Sequence, residues 1–240
     1  MKPTAHLSGF ALVVTLLASS TTASTAQGQD LGVPIRLLKV QDYYGRRAFE
    51  SSGSLWFGLY EINGVWELRS SRVSIDTITT PRGCTPEATR VSVDRRQEPL
   101  FLIQGLPGLS EGRIDVAFVG SAFVDPGRPL ELPLHDSDAY RVRAQGTRRG
   151  RPGDVTFADY ALLLEHGTKS QELAELGLVE AAGPNVVFAG DLDLDRDRRL
   201  DLIVDLRRSY VGHHFALFAS SPTRRDSLVV KVAELLVSGC

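Results

Sequence analysis

Six aspartates, Asp191, Asp193, Asp195, Asp197, Asp201 and Asp205, crowd into the string Gly190-Asp-Leu-Asp-Leu-Asp-Arg-Asp-Arg-Arg-Leu-Asp-Leu-Ile-Val-Asp205. Carboxylates at alternate positions, followed by one four residues on, suit a hard cation that takes about six to eight oxygens at roughly 2.3–2.6 Å. Calcium fits this pattern. Magnesium demands a tighter octahedron and keeps its waters, and zinc calls for His or Cys donors that the string lacks. Counting from Asp193 as position 1 puts Asp195 at 3, Asp197 at 5, the Arg199 backbone carbonyl at 7 and Asp201 at 9. Counting from Asp191 instead puts Arg199 at position 9, so the first register is preferred and the expected ligands are Asp193, Asp195, Asp197, Arg199 and Asp201. Leu200 and Leu202 then flank the last ligand as core anchors. The competing reading is an acid-rich turn neutralised by Arg196, Arg198, Arg199, Arg207 and Arg208 with no metal, but carboxylates so closely spaced repel one another without a counter-ion.

The stretch Asp193-Leu-Asp-Arg-Asp-Arg-Arg-Leu-Asp-Leu202 resembles the D-x-D-x-D-G-x-x-D-L calcium loop of FG-GAP/VCBS-type repeats and, more loosely, of thrombospondin type 3 repeats and dockerins. The resemblance covers residues 186–205 at most. It implies calcium ligation by the matching positions and nothing about a wider activity. Two features depart from the pattern. Arg198 stands at the usual Gly position, where a left-handed backbone costs a non-Gly residue about 1 kcal/mol. A single loop is present, whereas FG-GAP propellers carry several and dockerins carry two with an acid at position 12, here Val204.

Other chemistry-bearing residues are sparse. His135, His166, His213 and His214 accompany no G-x-S-x-G or H-E-x-x-H motif, so no catalytic residue is assigned. Adjacent residues of a strand point to opposite faces, so His213 and His214 are not expected to chelate one ion together. Trp56 and Trp66, with Tyr43, Tyr44, Phe57 and Tyr60, could form a sugar- or peptide-binding surface, but a hairpin setting favours a packed aromatic core. Cys84 and Cys240 are the two cysteines. In an oxidising compartment they are expected to pair.

That compartment follows from the first residues. Lys2, the apolar run Gly9 to Leu17 and the small residues Ala18 to Ala26 read as a secretory signal peptide, residues 1–26, of an exported bacterial protein, periplasmic or secreted. The run is too short for a membrane span of about 20 apolar residues, so no transmembrane anchor is expected. The chain has 240 residues, 27 Lys+Arg against 29 Asp+Glu and a net charge of −2, which leaves no broad positive field for nucleic acid.

The elements that must position the aspartates are strands. Short runs rich in Val, Ile, Leu, Phe and Tyr alternate with Gly, Pro, Asp and Asn, which predicts an all-β, antiparallel, sandwich-like fold and not a propeller. Asn63-Gly64 between two such runs predicts a two-residue hairpin. The turn formers and arginines of residues 148–154 suggest a linker between a β-rich region 27–147 and a second, 155–240. Around His166-Gly167-Thr168-Lys169 the spacing predicts another hairpin, with a short helix through Leu178 as the alternative. The functional expectation is a calcium-stabilised exported protein with a binding or envelope-associated role toward a protein or glycan; the alternative is a calcium-stabilised secreted hydrolase.

Overall fold

A computed structural model describes residues 34–44, 54–80, 87–134, 139–151, 153–180, 183–192, 199–220 and 227–238. The segment 1–26 expected to be a signal peptide, Cys84, Cys240, His135 and the loop aspartates Asp193, Asp195 and Asp197 lie outside the described residues. Among the described residues every regular element is a strand: β1 Arg36–Leu38, β2 Gln41–Tyr44, β3 Leu55–Ile62, β4 Val65–Thr79, β5 Glu87–Val93, β6 Leu102–Gln104, β7 Gly112–Arg113, β8 Val116–Phe123, β9 Leu130–Leu132, β10 Tyr140–Arg151, β11 Asp154–His166, β12 Lys169–Glu180, β13 Asn185–Gly190, β14 Asp201–Asp205, β15 His213–Ala219 and β16 Val230–Val237.

All pairings are antiparallel. One sheet runs β1-β6-β3-β4-β5-β2 with β7 on β4, a second runs β12-β11-β10-β9, and a third runs β16-β15-β14-β13-β8. The fold is all-β and does not close into a propeller.

The Asn63-Gly64 hairpin forms as its dipeptide requires: Ile62 faces Val65, and both turn residues take positive φ, 53° and 78°. Two successive left-handed residues match the twist of the flanking strands. Residues 148–151 pair with 154–157 in the β10–β11 hairpin, where Arg151 faces Asp154. His166 faces Lys169 across the next turn, and the segment through Leu178 is strand, not helix.

The third sheet explains why its segments read as near-continuous apolar runs. Along β14 and β15, alternate side chains enter two different cores. Ile203, Phe215, Leu217 and Ala219 join one with Trp56, Leu59, Phe101 and Ile103 of the first sheet. Leu202, Val204, Ala216 and Phe218 join another with Tyr140, Val142, Tyr160 and Leu162 of the second. A strand covered on both faces has no wet side to alternate with. Strand β10 does have one: Tyr140, Val142 and Ala144 are buried, while Arg141 and Gln145 are exposed. Trp56, Tyr43 and Tyr60 are buried, with the Tyr60 and Ser71 hydroxyls hydrogen-bonded at 2.6 Å, while Phe57 and Trp66 pack half-buried against the core and Tyr44 is half-buried.

One side chain stitches the second sheet to the chain entering β16. The Gln171 carbonyl oxygen accepts from the backbone N–H of Leu228 at 2.7 Å and of Val229 at 3.1 Å, while its amide donates to the Val229 carbonyl at 2.7 Å.

Candidate functional site

Strand β14 is the common support of the chemistry, with a buried aspartate at each end. Asp201 and Asp205 are four residues apart and therefore on one face, shared with Ile203.

At the first end, β13 and β14 pair with Gly190 facing Asp201, and the acidic loop closes this hairpin. Gly190 is needed there because a Cβ would come within 2.6 Å of the Asp115 carbonyl and 2.7 Å of the Phe188 ring. The same Asp115 carbonyl accepts the Asp191 N–H at 2.9 Å. Leu192 and Leu200 are fully buried, Leu192 in the core toward the first sheet and Leu200 in the core toward the second. The two stems of the loop thus straddle the end of the middle sheet. Leu202, beyond Asp201, is also fully buried, so both leucines flanking this aspartate are core anchors.

Asp201 is itself fully buried. Its Oδ2 accepts the Leu192 N–H at 2.8 Å, and its Oδ1 accepts the Ser220 N–H at 2.8 Å. The carboxylate therefore ties together the entry of the loop, its exit and the end of β15. Of the expected ligands, Asp201 is at the loop base and Arg199 is exposed, and the remaining three lie outside the described residues. Among the described residues no group of three or more His, Cys, Asp or Glu side chains converges. A carboxylate offers about four acceptor positions, so two backbone bonds do not by themselves exhaust Asp201 as an oxygen donor.

At the other end of β14 the structure assembles a group that sequence reasoning missed. Asp205 is buried, and its Oδ1 accepts the N–H of His214 at 3.0 Å and of Arg207 at 3.3 Å. Its Oδ2 lies 2.6 Å from His213 Nδ1 and 3.3 Å from Arg207 Nε. The His213 ring stacks on Phe215 with centroids 5.2 Å apart and planes at 8°. Lys39 Nζ, from the β1–β2 connection, sits 5.2 Å from the Phe215 centroid and 5.1 Å from that of Phe101. Burial lowers the Lys39 pKa, and the charge of Asp205 works against that shift. The neighbouring His214 turns away to Glu234, with Nε2 to Oε1 at 3.2 Å, in keeping with the opposite faces expected for adjacent strand residues.

His213 and Arg207 line an open cleft of about 460 Å³ together with Arg208, Ser209, Val211 and Leu236. A buried carboxylate that holds Nδ1–H leaves Nε2 as the free nitrogen of the imidazole, the arrangement of an oriented base. The signal was present but non-local: the pair depends on Asp205 facing Phe215 in the β14–β15 register, which brings His213 and Asp205 together around the turn of residues 206–212. No protein-family model, curated protein or solved structure matches the chain.

Proposed function

We propose that residues 193–201 form a structural calcium loop in an exported bacterial protein, periplasmic or secreted, whose role is binding or envelope association. The carrying observation is the built base of the loop, where fully buried Leu192, Leu200 and Asp201 fix both stems of an aspartate-rich connection. Asp193, Asp195 and Asp197 with Asp201 and the Arg199 carbonyl would supply an all-oxygen donor set suited to calcium. The ion would neutralise the clustered carboxylates and lock the β13–β14 hairpin. Calorimetric titration of the chelator-treated protein tests this. Calcium should bind and raise the melting temperature, and Asp195→Ala should remove that dependence. No heat of binding and an unchanged melting curve in calcium would refute it.

A second reading, a secreted hydrolase stabilised by calcium, is favoured by one observation, the 2.6 Å contact of His213 with buried Asp205 in a cleft. His213 Nε2 would take the proton of an attacking water or hydroxyl. Turnover of ester or phosphoester substrates that is abolished by His213→Gln would support it. Turnover that survives the substitution would refute it.

A further inference from the structure

The cleft beside His213 combines three features that the calcium loop does not use. Arg208 lines it with a guanidinium that makes no ion pair or hydrogen bond among the described residues. His213 lines it with one ring nitrogen engaged by Asp205 and the other without a partner among the described residues. Its wall is apolar and unusually bare: Val211 is 89% and Leu236 55% exposed. These are two of the five large apolar side chains exposed among the described residues. No carboxylate lines the cleft among the described residues.

We propose that this cleft binds a small amphipathic anion, a carboxylate or phosphate head on a short apolar body, and that His213 engages the head as an imidazolium. The head meets Arg208 and His213, whose fork and ring suit planar or tetrahedral oxyanions. The body lies along Val211 and Leu236. The cleft volume of about 460 Å³ falls within the roughly 300–1,000 Å³ usual for small-molecule sites, far more than an inorganic anion occupies.

The protonation requirement follows from what surrounds the ring. Asp205, on β14, takes the Nδ1 proton and stabilises the cation from beneath. Arg207 is held against Asp205, and Lys39 approaches from the first sheet across Phe215. Glu234, on β16, is taken up by His214 and Lys231 and does not face His213 with a free charge. With Nε2 protonated the ring donates to an anion; with Nε2 bare its lone pair repels one. This binding does not depend on turnover or on the acidic loop.

The test is calorimetric titration of the full chain with octanoate, octyl phosphate, 1-octanol and inorganic phosphate, in buffers with and without calcium. Measurements are made at about pH 5.5 and about pH 8. Both octyl anions should bind more tightly than 1-octanol and than inorganic phosphate, and octanoate, ionised at both pH values, should bind more tightly at the lower pH. Which octyl anion binds better identifies the head group. Arg208→Met should weaken both anions about ten-fold, the scale of one charge-assisted hydrogen bond. Val211→Ser should weaken the octyl anions and leave inorganic phosphate unchanged, and His213→Gln should remove the pH dependence. Arg208 and Val211 are exposed, so these two variants test the site without disturbing the core. Equal affinity for octanol and octanoate, equal octanoate affinity at both pH values, no effect of Arg208→Met, or no binding of either octyl anion would each overturn the proposal.

Discussion

Replacing Asp201 by alanine should destabilise the protein even when no calcium is present. The carboxylate is fully buried and accepts the backbone N–H groups of Leu192 and Ser220, each at 2.8 Å. Truncation leaves both donors buried without this acceptor, at about 1–3 kcal/mol each. Removing a desolvated charge offsets part of that loss, so the net cost is about 3 kcal/mol. For a domain of this size that lowers the melting temperature by roughly 6–12 °C. Asp201→Asn is the sharper comparison, because an amide keeps one acceptor oxygen and turns an NH2 group toward the second N–H. It should fall between wild type and alanine. Urea unfolding in excess chelator, followed by tryptophan fluorescence, reads the effect well. Trp56 is buried in the same core as Ile203 of β14, so its emission reports on the middle sheet. A chelator-insensitive loss of about 3 kcal/mol would establish that Asp201 organises the hairpin before any ion arrives. If Asp201→Ala unfolds within about 1 kcal/mol of wild type in chelator, or if Asp201→Asn matches wild type, the hydrogen-bond reasoning is wrong.

Two further outcomes are expected. Cys84 and Cys240 should form a disulfide in protein recovered from an oxidising compartment, seen as a two-proton mass deficit and as no reaction with thiol reagents under denaturing conditions; two titratable thiols would refute the pairing. Glu234 has its pKa lowered from 4.5, chiefly by the hydrogen bond from Lys231 and secondarily through His214. A carboxyl lowered on folding contributes stability that is complete above its unfolded pKa and is lost as pH falls through the folded value. Glu234→Gln should therefore flatten the acid limb of the stability curve below about pH 4.5, by under roughly 1 kcal/mol because the pair is half exposed, and high salt should erase the difference. An unaltered acid limb would count against the pair.

The strands were readable because their signals are local. Asn63-Gly64 can take two consecutive positive φ values at little cost, and Tyr140-Arg-Val-Arg-Ala144 alternates because one face is wet. The β12 segment was ambiguous for an equally physical reason: Thr168 with Gln171 satisfies a helix-capping spacing as well as a strand one. Gln171 in fact spends both ends of its amide on Leu228 and Val229, a contact across 57 and 58 residues that no local pattern encodes. The sharing of the middle sheet between two cores was hidden in the same way. Runs such as Asn185–Gly190 announce burial on both faces without naming what covers each.

The two buried aspartates of β14 show where this boundary falls for the chemistry. Asp201 was singled out by its spacing from neighbours in the loop, and it does stand at the base of that loop. Asp205 belongs to the same acidic string, but its partners are set by strand register and not by spacing. Once Asp205 faces Phe215, the residues on either side of the turn, Arg207 and His213, converge on one carboxylate, and His214 is sent to Glu234. A single five-residue strand thus carries two carboxylates doing different work. One closes a loop by holding backbone donors. The other orients an imidazole at a cleft. Since both project from one face, a perturbation that shifts β14 along its neighbours should disturb loop and cleft together, whereas exposed Arg208 and Val211 answer for the cleft alone.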